Sequence, residues 1–203
     1  MKKRSYLKRA RAEGEARTRQ AVLDAAVACF SETHFDRVTM NQLAQRAGLS
    51  VQTLLRIHGT KEQILVTAAR SIAAALIDKR EEVAPGDLDT ALRVLVSDYE
   101  RWGDTHERLF VRARQLPELA QLFEELLLRH RQWIQRIFAR ELELRTGPDR
   151  ARLLALLVVS LDIGTYRRLR VERLSRAATT RALHSLVTAV LADTKRDDRK
   201  DDA

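Results

Sequence analysis

The segment SVQTLLR, Ser50 to Arg56, carries the side chains of this chain that are best suited to reading a nucleic-acid sequence. A glutamine can bridge the edge of an adenine, a threonine can hydrogen-bond to a base or offer its methyl group, and a valine can contact the methyl group of thymine. We therefore predict base contacts from Val51, Gln52 and Thr53. The alternative for Gln52 is a solvated helix face.

Affinity for a nucleic acid comes mostly from neutralised phosphates, and several cations lie near this segment. Lys61 stands in the first turn of a predicted helix, where backbone N–H groups also face an anion and where a lysine is unfavourable for the helix dipole. Residues 1–17 are basic and form either a mobile arm that contacts phosphates or a solubilising tail. The predicted DNA contacts are Thr39, Arg46, Ser50, Val51, Gln52, Thr53, Arg56 and Lys61.

Three predicted helices position these side chains. The first spans residues 18–32, whose apolar positions recur on one helical face. Thr39 caps the second helix in a capping box with Gln42, and Gly48 suits its left-handed end. Ser50 then caps the third helix. A helix, a tight glycine-containing turn and a second short helix form a helix-turn-helix, whose second helix enters the major groove.

Six further helices are predicted, and no segment has the pattern of a strand. Thr60 begins one of them, two lie within residues 87–116, and Pro117 begins one of about 29 residues. The last two span about 149–173 and 175–194. We therefore predict an all-α protein of about nine helices, with an N-terminal three-helix helix-turn-helix domain and a larger C-terminal helical bundle.

Composition and charge favour a globular protein with an anionic partner. The chain has 203 residues, 45% of them hydrophobic, which is enough to bury a core, and only seven Gly and three Pro for turns. The net charge of +9 is concentrated in residues 1–60, which carry eleven Lys/Arg against five Asp/Glu. A basic end on a nearly balanced body is typical of a nucleic-acid-binding module, although an anionic membrane surface could also attract it.

Other classes of protein find little support. The single cysteine, Cys29, excludes an internal disulfide, and no apolar stretch approaches the roughly 18 residues of a membrane span. His106, His130 and His184 are scattered, without metal-ligand spacing or a catalytic partner. We expect a cytoplasmic location, no membrane partner, no enzymatic activity, and neither cofactor nor metal.

The order and spacing of residues 22–65 resemble the N-terminal domain of the TetR family of transcriptional regulators. That family has an Ala-Ala helix, a Phe, a Thr-led second helix, an Ala-Gly-hydrophobic-Ser turn, a Thr-Leu reader helix and a Ser/Thr-Lys-Glu start to the next helix. The matching residues here are Ala25, Ala26, Phe30, Phe35, Thr39, Leu43, Ala44, Ala47, Gly48, Ser50, Thr53, Leu54, Lys61, Glu62 and Leu65.

Three positions depart from the family pattern. His34 stands where a glycine is usual, Leu55 where a phosphate-contacting tyrosine is usual, and His58 where a core phenylalanine is usual. Arg56 could supply the charge that Leu55 lacks. For His58 we expect a partly buried side chain with a hydrogen-bond partner rather than a sensing role.

The resemblance implies a domain organisation and a homodimer. It divides the chain into a basic arm (1–17), a helix-turn-helix domain (18–64), an effector-binding and dimerisation domain (65–194) and a charged tail (195–203) that we expect to be disordered. The last two predicted helices resemble the family's dimerisation pair. The predicted interface residues are Leu153, Leu157, Leu161, Leu183, Leu186 and Val190.

The resemblance also implies a central cavity for a small-molecule effector. The predicted pocket residues are Tyr99, Trp102, Phe110, Phe123, Trp133, Asp162 and Tyr166, although an aromatic residue taken alone more often belongs to a core. Asp162 interrupts an apolar run, so its burial would demand a partner. An interface, a pocket and a solvent-exposed position all remain open for it.

The function that follows is a dimeric, ligand-responsive transcriptional regulator, a repressor that leaves a partly palindromic operator on double-stranded DNA when its effector binds. Two rivals come from other classes. The first is a helical ligand-binding or interaction dimer with a degenerate DNA reader, which Leu55 and His58 motivate. The second is an all-helical enzyme, which the absence of a nucleophile-base pair disfavours.

Overall fold

The computed structural model describes residues 2–197, and the side chains from residue 13 to residue 192. Within that range it has ten α-helices, one short 3-10 helix and no strand, as the all-α prediction requires. The helices are α1 (Lys2–Glu32), α2 (Met40–Ala47), α3 (Val51–His58), α4 (Lys61–Glu81), α5 (Leu88–Ala113), α6 (Pro117–Ile137), α7 (Ala139–Glu143), α8 (Gly147–Ser160), α9 (Ile163–Val171) and α10 (Arg176–Asp197), with the 3-10 helix at Phe35–Arg37.

The helix count differs from the prediction in three places. Residues 88–113 form the single helix α5 rather than two, and its buried face continues through Tyr99 and Thr105. The predicted helix from Pro117 is divided at the buried Phe138, whose backbone is not helical. The predicted helix 149–173 is divided because Asp162 adopts an extended backbone and accepts a hydrogen bond from the Gly164 N–H.

The two ends of the chain also bear on the sequence prediction. The basic arm predicted at residues 1–17 is helical from Lys2 and continuous with α1. Most of the charged tail predicted at 195–203 lies outside the described residues. In the part of the chain that is described, no helix is both long and apolar enough to cross a membrane.

The chain forms two compact units whose boundaries are not those of the predicted domains. The first unit contains the residues up to 74 together with 104–122, and the second contains 75–103 and the residues from 123 onward. The end of α5 belongs to the first unit because Arg108 donates to the Ser31 carbonyl oxygen and Arg112 pairs with Asp36 at 3.6 Å. These contacts join residues more than 70 positions apart, so no local pattern could predict them.

The second unit has a closely packed core of leucines and aromatic rings. Tyr99 donates from its hydroxyl to the Leu161 carbonyl oxygen at 2.8 Å, and its ring centre lies 5.4 Å from that of Tyr166. Trp133 donates from Nε1 to the Arg80 carbonyl oxygen at 2.9 Å. Three of the predicted pocket residues are thus part of the core, and Phe110 is 53% exposed and belongs to the first unit.

Four of the predicted interface residues likewise lie in the core. Leu153, Leu157, Leu161 and Leu183 are at most 1% exposed and belong to the core of their own unit, so they offer no surface to a second chain. Leu186 is 40% exposed, and Val190 is partly buried against the core. Helical periodicity marks an apolar face, but it cannot distinguish a face buried within the chain from one buried between chains.

Candidate nucleic-acid interface

A tight turn holds α2 and α3 in a helix-turn-helix. Gly48 has the left-handed backbone φ of 68° predicted for it, and its N–H donates to the Gln45 carbonyl oxygen at 3.2 Å. The next N–H, that of Leu49, donates to the Ala44 carbonyl oxygen at 2.9 Å. This pair of bonds is the Schellman motif, which ends a helix within two residues and fixes the direction of the following chain.

The predicted caps are confirmed at both helix starts. Thr39 Oγ1 accepts from the Gln42 N–H at 3.2 Å, while Gln42 Oε1 accepts from the Thr39 N–H at 2.8 Å. Ser50 Oγ accepts from the Thr53 N–H at 3.1 Å and lies 2.9 Å from Thr53 Oγ1. The hydroxyl groups of Ser50 and Thr53 therefore bond to each other, which reduces what each can offer to a base or a phosphate.

The outer face of α3 presents the residues best placed to meet DNA. Leu54 is fully buried and anchors the helix in the first unit, whereas Gln52, Leu55 and Arg56 are exposed. These three residues have the i, i+3, i+4 spacing that places side chains on one helical face. A polar reader and a cation thus flank Leu55, which is 49% exposed at the position where the family has a tyrosine.

Arg46 is already paired within the domain. Its guanidinium donates to the two carboxylate oxygens of Glu32 at 2.7 and 2.8 Å. These hydrogen bonds lower the pKa of the Glu32 carboxyl group and raise that of Arg46. Arg46 therefore links the end of α1 to α2, and a phosphate would have to compete with Glu32 for it.

Lys61, predicted as the main phosphate contact, is also directed inward. Its ammonium donates to the carbonyl oxygens of Phe35 at 3.0 Å and Val38 at 2.9 Å. It also lies 4.1 Å from the centre of the Phe35 ring. Two of its three N–H donors are thus used within the protein, which gives Lys61 a structural role that the sequence did not reveal.

A second cation meets Phe35. The Arg112 guanidinium lies 4.5 Å from the centre of the Phe35 ring, and the same ring stacks on Phe30 of α1 at 5.7 Å. Cation–π contacts of this kind each contribute roughly 0.5–2 kcal/mol. The contacts hold the loop before α2 in place. Sequence reasoning identified Phe35 by resemblance but missed Arg112, because the two residues meet only in the tertiary structure.

The two histidines that replace family residues have different environments. His34 has an ordinary φ of −59°, so the usual glycine is not required for the backbone here. His58 is half-buried, and burial, with the positive charge of Arg19, lowers its pKa. The partial burial predicted for His58 is found, but its Nε2 atom is buried without a hydrogen-bond partner among the described residues.

Comparison with known proteins agrees with this geometry. The family model described as "Bacterial regulatory proteins, tetR family" matches residues 22–68, which include α2 and α3. These residues match the TetR family. The sequence-based resemblance is confirmed over these residues, and the match ends within α4.

One curated relative matches over a longer stretch than the family model does. The HTH-type transcriptional repressor AcnR of Corynebacterium efficiens is 29% identical over 85 residues, which are 42% of this chain and 44% of the repressor. The chain therefore spans less than half the length of that relative.

Solved structures extend the likeness in fold to most of the chain. A transcriptional regulator from Rhodococcus sp. RHA1 has a TM-score of 0.69 at 20% identity, covering 86% of this chain and 96% of that one. A structure described as a SmeT–triclosan complex has a TM-score of 0.63 at 19% identity, covering 87% and 90%. Both likenesses concern the fold.

Proposed function

We propose that this protein is a DNA-binding transcriptional regulator, a repressor that leaves its operator when a small molecule binds. The observation that carries the proposal is the exposed face of Gln52, Leu55 and Arg56, presented by a capped helix within a TetR-family domain. Gln52 can read an adenine edge and Arg56 can neutralise a phosphate. The relative AcnR is named a transcriptional repressor, which supports the same function and sign of regulation here.

The proposed contacts follow the local chemistry of each residue. Gln52 and Val51 read bases, and Thr53 contributes mainly its methyl group because its hydroxyl is bonded to Ser50. Arg56 is the main phosphate contact. Thr39 and Ser50 are exposed at helix starts, where backbone N–H groups attract an anion, although the Ser50 hydroxyl is bonded to that of Thr53. Arg46 and Lys61 chiefly hold the domain together.

The regulator acts as a homodimer on a partly palindromic site. Two large apolar residues of the packed pair α8 and α10 are exposed, Val159 at 63% and Leu186 at 40%. Exposed alanines, Ala155 and Ala189, lie on the same helices and allow a second chain to approach closely. We therefore assign the interface to the outward faces of α8 and α10, in place of the core leucines predicted from the sequence.

An effector site in the second unit is supported by the solved structure described as a SmeT–triclosan complex, which shares this fold. The unit also contains a cluster of polar side chains beside Tyr99 and Trp133, two of the predicted pocket residues. Asp98, 4% exposed, pairs with Lys79 at 2.8 Å and Arg80 at 3.4 Å, and His130 Nε2 is buried without a partner among the described residues. An effector that differs in affinity for two conformations would shift the equilibrium between them.

The function is tested by selecting DNA from a random pool with the purified protein. We expect enrichment of a partly palindromic sequence whose half-sites lie about 34–36 Å apart, or a multiple of that distance. Binding should weaken steeply as the salt concentration rises. If no sequence is enriched over the starting pool, the proposal fails. The alternative is then favoured: an interaction or ligand-binding dimer whose reader face, with Leu55 exposed, no longer binds DNA.

A further inference from the structure

A cleft of about 700 Å³ lies in the first unit, beside the end of α3. Its apolar wall is formed by Ile57, Val66 and Leu116. Its polar wall includes His58, Glu62 and Glu118. The volume is within the roughly 300–1,000 Å³ that is usual for small-molecule sites, and the mixed lining offers both an apolar surface and a few polar groups.

The charge of the lining is negative. Glu62 and Glu118 contribute carboxylates, and none of the lining residues is a lysine or an arginine. Among the described residues, neither carboxylate forms an ion pair. The basic side chains that dominate residues 1–60 are thus absent from the wall of this cleft, although Arg19 acts on His58 from α1.

His58 adds a polar group without adding charge. Burial and the positive charge of Arg19 lower the pKa of its imidazole, which favours the neutral form. Its Nε2 atom has no hydrogen-bond partner among the described residues. A buried polar atom without a partner is destabilising, but this nitrogen has almost no accessible surface, so His58 contributes only to the polar lining of the cleft.

We propose that this cleft binds an organic cation with an apolar body. The carboxylates of Glu62 and Glu118 attract the positive charge, and Ile57, Val66 and Leu116 bury the apolar part. Ile57 and His58 are the last two residues of α3, so an occupant contacts the helix that carries Gln52 and Arg56. An effect of the cation on DNA affinity rests on the proposed function, whereas binding of the cation does not.

Binding is tested by isothermal titration calorimetry of the full chain with tetraphenylphosphonium and, separately, with tetraphenylborate, an anion of the same shape. We expect the cation to bind and the anion to bind at least tenfold more weakly. The double variant Glu62→Gln/Glu118→Gln should weaken binding of the cation about tenfold, because both attracting charges are removed. Glu124→Gln, which removes an exposed carboxylate elsewhere on α6, should leave the affinity unchanged.

Three results would overturn the inference: no binding of the cation up to millimolar concentration, equal affinity for cation and anion, or equal affinity of the double variant and the unmodified chain. Glu62 and Glu118 stand in first helical turns, where acids stabilise a helix, so thermal melting is measured in parallel. A lower melting temperature with unchanged affinity would mean that the carboxylates act only on the helices. DNA binding is measured separately, so a chain that binds the cation without binding DNA contradicts the proposed function alone.

Discussion

Lys61 and Phe35 are joined twice in this structure. The ammonium of Lys61 donates to the Phe35 carbonyl oxygen at 3.0 Å and lies 4.1 Å from the centre of the Phe35 ring. A residue at the start of α4 thereby holds the loop that leads into α2. Lys61 was predicted from the sequence to bind phosphate. In the structure it holds together the domain that carries α3.

Lys61→Met should destabilise the protein without changing how DNA affinity depends on salt. The carbonyl groups of Phe35 and Val38 lose their donor, so we expect the free energy of unfolding to fall by about 1–3 kcal/mol in urea denaturation followed by circular dichroism. Arg37→Met, which removes an exposed cation from the same loop, should have little effect. A salt slope reduced by about 1 in Lys61→Met would instead support the phosphate contact predicted from the sequence.

Gln52→Ala and Arg56→Gln should alter DNA binding in different ways. Gln52→Ala removes a base contact, so the discrimination between bases at one position of the site should fall by about 1–3 kcal/mol, and the salt slope should not change. Arg56→Gln removes a phosphate contact, so binding to all sequences should weaken and the salt slope should fall by about 1. Mobility-shift titrations at several salt concentrations distinguish the two. The assignments are wrong if neither variant changes binding to the selected DNA.

Val159→Glu combined with Leu186→Glu should convert the dimer into a monomer. The proposed interface would then bury two unpaired carboxylates from each chain, which is strongly unfavourable. Sedimentation velocity at micromolar concentration measures the change. Val171→Glu, at a position 70% exposed on α9, is the matched control and should leave the mass of the particle unchanged. A dimer that persists in the double variant would place the interface elsewhere.

His130→Leu should remove part of the acid sensitivity of the fold. Burial, with the charge of Arg80, lowers the pKa of His130 to about 3 from an ordinary value of 6.5. Since the unfolded chain binds a proton that the folded chain excludes, stability is lost as the pH falls from 6.5 towards 3. At pH 5 the loss is about 2 kcal/mol.

The experiment compares urea unfolding at pH 7.5 and pH 5. The free energy of unfolding should fall less between pH 7.5 and pH 5 in His130→Leu than in the unmodified chain. His184→Leu, at an exposed position, should show the full fall. An equal loss of stability in all three proteins would mean that His130 is not the group responsible.

The local structure of the reader was predictable from the sequence. Thr39 with Gln42, Gly48 and Ser50 each specify a helix start or end through bonds to residues no more than four positions away. Because such caps depend on side-chain chemistry and short spacing alone, they are found where the sequence places them. Asp162 was the exception, since an apolar run on both sides concealed its role as a cap.

Only the tertiary structure decided which partner each charged or apolar side chain contacts. Lys61 and Arg46 are cations of the kind that contact phosphates, yet both are hydrogen-bonded within the protein. Lys61 donates to the Phe35 and Val38 carbonyl oxygens, and Arg46 donates to the Glu32 carboxylate. Helical periodicity predicted that Leu153 and Leu183 lie on buried faces, and the tertiary packing places those faces in the core of their own unit. The order of residues determines which helices form and where they end, because those interactions are local. Which partner each side chain meets depends on contacts between residues far apart in the chain, and only the folded molecule brings those together.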